Sequence, residues 1–124
     1  MKRVTGIGGV FFKSKDPKAL AAWYQKHLHL EFGDQPYTVL HWKNDEHPEP
    51  LSVFSFFEEK TDYFKPSEKP FMINFRVENL DALLAALREE GVQVMDATET
   101  MDGIGKFGWI VDPEGNKIEL WQPA

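Results

Sequence analysis

Apolar and polar residues first alternate at residues 10–15, with Val10, Phe12 and Ser14 in one row and Phe11, Lys13 and Lys15 in the other. A period of two predicts a strand. At Asp16-Pro17 the period changes. An aspartate there can accept a bond from an orphan N–H of a first helical turn, and a proline at the first helical position gives up a donor that has no partner anyway. A helix is therefore expected from Pro17, with Leu20, Tyr24, His27 and Leu28 as its inward stripe and an end near Leu28. Residues 31–36 have turn chemistry, residues 37–42 the β-branched and aromatic content of a strand, and residues 44–50 the polarity and prolines of a loop. An apolar run at 51–57 predicts another strand. After a proline-containing stretch at 61–70 the plan returns: a strand at 72–77, a helix capped by Asn79 with Leu80, Leu83, Leu84 and Leu87 inward, and Gly91 to end it. Val92 and Val94 belong to a further strand, and residues 109–111 and 117–121 flank a tight turn at 112–116.

The two halves repeat each other. With Asp16 laid on Asn79, Phe12 falls on Phe75, Ala19 on Ala82, Leu20 on Leu83 and Ala22 on Ala85. One short strand-helix-strands unit buries too little apolar surface to stand alone, so the units are expected to pack as halves of a single domain over residues 1–124. The modules span about 1–60 and 70–124, with a linker at about 61–69, and function is expected in the cleft between them. Cysteine is absent, which removes disulfides, thiolate metal sites and a cysteine nucleophile. No apolar run could span a bilayer and no signal-peptide core is present, so the expected location is the cytoplasm. The formal charge of −6, from 20 acidic and 14 basic side chains without a basic stripe, argues against a nucleic-acid partner.

A duplicated unit closing on Asp112-Pro-Glu-Gly-Asn-Lys-Ile-Glu-Leu120 resembles the vicinal oxygen chelate superfamily of glyoxalases, bleomycin-resistance proteins and extradiol dioxygenases. The resemblance covers nearly the whole chain. It implies an α+β fold in which two βαβββ modules form a curved, cup-like mixed sheet, usually in a homodimer. It also implies four metal-ligand positions, which fall here on Gly9, Ser55, Met72 and Glu119. Glycine has no ligand atom, a thioether is too soft for Mg²⁺ or Mn²⁺, and a serine hydroxyl is feeble alone. No cofactor is expected on that reading. The chain then resembles the metal-free members that bind an antibiotic.

Strand parity places Phe11 in step with Gly9, Asn74 and Arg76 with Met72, Phe57 with Ser55, and Lys117 and Trp121 with Glu119. A cup lined by Phe11, Phe57, Met72 and Trp121, with Asn74, Arg76 and Glu119 among them, has the mostly apolar character of a small-molecule site. Arg76 could grip a ligand carboxylate or pair with Glu119 across the cup. The opposite parity, including Phe54, Phe56, Phe75 and Leu120, is expected to be core. His27 and His29 read as structural residues at a helix end, His41 as a sheet residue and His47 as part of a solvated loop. Two functions stand open. One is a metal-free binder of a small organic molecule; the other is a metal-dependent lyase, isomerase or dioxygenase in which Glu119 is catalytic. With 17 aromatic residues in so small a domain, a homodimer is the expected assembly.

Overall fold

Asp16 and Asn79 start the two helices by the same device: each side chain accepts from the N–H three residues on, of Ala19 and Ala82, at 3.1 Å. In the computed structural model, which describes residues 1–3 and 7–124, helix α1 is Pro17–Leu28 and helix α2 is Leu80–Glu89. α1 ends at His29 in the left-handed region, φ 55°, and α2 is followed by Gly91 at φ 79°. A histidine tolerates that conformation less readily than a glycine, so His29 does with some strain what Gly91 does freely.

The five strands among the described residues all lie in the second half: β1 (Ile73–Arg76), β2 (Gln93–Val94), β3 (Glu99–Met101), β4 (Gly105–Val111) and β5 (Lys117–Pro123). Their order is β1-β5-β4-β2, with β3 also paired to β4. β1 runs parallel to β5, setting Asn74 beside Glu119 and Arg76 beside Trp121; β4 runs antiparallel to β5, setting Trp109 opposite Glu119 and Phe107 opposite Trp121. This register sorts side chains by face. Ile110, Ile118 and Leu120 meet Leu80, Leu84 and Leu87 of α2 and Leu20 and Tyr24 of α1 in one buried cluster, with Phe12 and Phe75 packed against it. Both helices therefore cover one face of a mixed sheet, and the second half runs strand, helix and then four strands in an α+β fold. Gly108 permits the close approach of α2: a Cβ there would lie 2.8 Å from Leu84 Cδ1.

The turn at 112–116 joins the halves. Buried Asp112 accepts from the N–H of Glu114 and Asn116 and from Asn116 Nδ2, and its Oδ2 also takes the Tyr24 hydroxyl of α1 at 2.9 Å. Glu114 accepts from Ser14 Oγ and from the N–H of Lys15 and Asp16. These bonds hold its carboxyl below the usual glutamate range, Ser14 contributing most.

The first half departs from its expected strands. Residues 10–15, 37–42 and 51–57 form no ladder among the described residues, and the only regular backbone there besides α1 is a 3₁₀ turn at Trp42–Asn44. Phe54 and Phe56, expected in the core, are 77% and 86% exposed, and Val10 is 60% exposed. The physical reason is pairing. β4 and β5 satisfy one another, β1 is an edge strand, and an extended segment without a neighbouring strand has no face to bury.

Candidate functional site

The sheet face turned away from the helices carries Asn74, Arg76, Phe107, Trp109, Lys117, Glu119 and Trp121. At its centre Glu119 is 7% exposed and fully engaged. Oε1 accepts from Asn74 Nδ2 at 2.7 Å, while Oε2 accepts from Tyr63 Oη at 2.6 Å and Trp109 Nε1 at 2.8 Å. Lys117, also buried, donates Nζ to the Tyr63 carbonyl and lies 5.2 Å and 5.3 Å from the centroids of the Tyr63 and Trp109 rings. Burial lowers the Lys117 pKa, partly opposed by the Glu119 charge. Burial and the bond to Glu119 both push the Tyr63 phenol well up, because the phenolate would lie beside a carboxylate.

Arg76 belongs to a second neighbourhood. It pairs through Nε with Asp45, reaches the Leu51 carbonyl, and lies over the Trp121 ring at 5.2 Å. The other face of Trp121 is stacked by Phe107, and its Nε1 donates to the Ile104 carbonyl. The guanidinium bond holds the Asp45 carboxyl below its usual range. A groove of about 290 Å³ opens beside this pair, bordered by Arg76, Trp121, His47, Glu49, Leu51 and Ile104. His47 Nε2 meets the Ala124 main-chain oxygen at 3.1 Å, which fastens the 45–51 loop over the groove.

Of the residues expected to line the cup, the structure brings Asn74 and Glu119 together directly and adds Phe57, whose ring stacks on Tyr63 at 5.2 Å. Arg76 and Trp121 share the adjoining groove, and Arg76 pairs with Asp45 rather than Glu119. Met72 is half-buried immediately before β1. Phe11 is 94% exposed and stands apart, as do the exposed Gly9 and Ser55. Tyr63 and Asp45 were not readable as site residues. One lies in a proline-containing crossing and the other in a charged loop, although the Tyr63-Phe64 pair in an otherwise polar linker was a usable signal.

The family model of the glyoxalase-like domain matches residues 9–121. The chain belongs to that family. With it comes membership of the vicinal oxygen chelate superfamily, and solved structures carry the same fold. A glyoxalase/bleomycin resistance protein/dioxygenase domain from Frankia sp. EAN1pec is 18% identical, with 98% of this chain and 100% of that one covered at a TM-score of 0.61. An antibiotic binding protein from Streptomyces sp. CB03234 is 23% identical over 89% and 88% of the two chains, TM-score 0.56. A superfamily member from Sphaerobacter thermophilus DSM 20745 is 19% identical over 88% and 90%, TM-score 0.53. No curated protein matches the sequence. In this glyoxalase-like chain no helix among the described residues is long and apolar enough to cross a membrane.

Proposed function

We propose that this glyoxalase-like protein is a metal-free binder of a small organic molecule, received on the cup face of its sheet. The observation that carries the reading is the state of Glu119. It is the one carboxylate at the family's four ligand positions, and its two oxygens already accept from Asn74, Tyr63 and Trp109. A metal would have to strip those donors while Gly9, Met72 and Ser55 offered little in return, so the donor set does not fit a divalent ion. Among the described residues no three His, Asp or Glu side chains converge as ligands either. The antibiotic-binding protein that shares the fold is in keeping with such a role.

The groove beside Arg76 is the entrance. An anionic head group would exchange places with Asp45 on the guanidinium, while a ring would meet Leu51 and the edge of Trp121. A thermal-shift screen followed by calorimetry tests this. Arg76→Met is expected to spare a neutral ligand and to weaken an anionic one by roughly tenfold or more. A ligand that is turned over, with turnover lost and affinity kept in Glu119→Gln, would contradict the binder reading.

A homodimer is part of the proposal. Phe54, Phe56, Val53, Leu51 and Phe11 are all exposed on segments whose repeat partners in the second half are strands, and among the described residues β1 is an edge strand. Such surface, with unpaired strand-like backbone beside it, suits a second copy of the same chain. It would also complete the cup.

A further inference from the structure

Tyr63 belongs to the crossing between the two halves, yet its side chain reaches the floor of the cup. Four contacts hold it there: its hydroxyl on Glu119, its carbonyl on Lys117 Nζ, its ring face toward that ammonium, and its ring edge-on to Trp109 at 5.9 Å and 89°. Phe57 stacks on the outer side at 23° between planes. By contrast, the other hydrogen bonds of residues 61–67 among the described residues are local to the crossing: Thr61 to Glu58, Tyr63 to Thr61, Lys65 to Asp62, Ser67 to Phe64 and Lys69 to Ser67. The segment is thus a strap pinned to the sheet chiefly by one tyrosine.

We propose that Glu119, Lys117, Trp109 and Phe57 form a recognition subsite for a hydroxyaryl ring, and that the chain keeps this subsite filled with its own Tyr63 until a ligand phenol displaces it. The chemistry of the slot names the class. Glu119 Oε2 needs a donor, since without Tyr63 it keeps only Trp109, so a ligand carboxylate is repelled and an acidic hydroxyl is favoured. Lys117 wants the face of a ring, and the Phe57 and Trp109 rings bound a planar space that an aliphatic alcohol would leave half empty. Because ligand and strap compete for one place, the apparent affinity of the native protein is reduced by the fraction of time the strap is closed. This deepens the small-molecule reading and rests on it.

p-Cresol, the tyrosine side chain capped by hydrogen, is the probe, and toluene is its control. By calorimetry, Tyr63→Ala is expected to bind p-cresol at least roughly tenfold more tightly than the native protein does, and roughly tenfold more tightly than it binds toluene. Tyr63→Phe keeps the ring but loses the bond to Glu119, so it guards against a misfolded alanine variant. In it, amide exchange across residues 61–67 should quicken while β5 stays protected, and p-cresol should again bind more tightly than to the native chain. Equal affinity for p-cresol and toluene, or native affinity equal to that of both variants, would overturn the proposal even if another ligand occupied the Arg76 groove. Failure of the small-molecule reading itself would show differently, as a screen in which no compound shifts the melting of the native protein.

Discussion

Single side chains carry much of what joins the two halves. Tyr24 and Asp112 are both buried, and their bond ties α1 to the turn that closes β4 on β5. Tyr24→Phe keeps the ring's packing and strands one acceptor of a carboxylate, so denaturant unfolding should show a loss of about 1–3 kcal/mol. Glu119→Gln should destabilise by a similar ~1–3 kcal/mol, because an amide must turn its NH₂ toward one of three donors that now find an acceptor. Both phenols are pushed up on folding, Tyr24 by burial and then by Asp112. A group whose folded pKa is raised contributes stability that is complete below its unfolded value, about 10 for tyrosine, and lost as pH rises toward the folded one. Thermal melts from about pH 8 to 11 should therefore fall off at the alkaline end, less steeply in Tyr24→Phe/Tyr63→Phe. An unchanged slope would mean that the phenols are not held as described.

At the scale of elements, local chemistry was legible and partnership was not. Asp16, Asn79 and Gly91 each act through atoms within a few residues, so their roles could be read from order alone, as could the existence of the turn at 112–116 but not its bonds to Tyr24 and Ser14. The parity that set Asn74, Arg76, Glu119 and Trp121 on one face also held, since alternation follows wherever a strand forms. What failed was the assumption that 10–15, 37–42 and 51–57 would find strands to pair with. Pairing depends on a neighbour that local pattern does not supply, and Phe54 and Phe56 lie exposed as a result. Tyr63 escaped for a related reason: its value comes from residues 46 and 56 positions away, Trp109 and Glu119. Helix–sheet closeness can be tested at Gly108. Gly108→Ala drives a Cβ against Leu84 and should lower stability by about 1–3 kcal/mol, measured by urea unfolding.

For the whole molecule, a half of one helix and five strands is accompanied by a half that supplies a helix and a lining loop, with the strap crossing between them. The exposed aromatic segments of that half are where a second copy would add its strands, and sedimentation at micromolar concentration should give a dimer; a monomer would contradict this. The chain's membership of the glyoxalase-like family makes the metal question central, because on the proposed reading Glu119 is the one carboxylate among the four ligand positions that the superfamily resemblance implies. Elemental analysis of protein purified without chelators or a histidine tag, before and after soaking with Ni²⁺, Zn²⁺ and Mn²⁺, is the decisive test of whether the cup holds a metal. Well under one metal ion per chain is expected in every case; a stoichiometric ion that is lost in Glu119→Gln would contradict a metal-free cup.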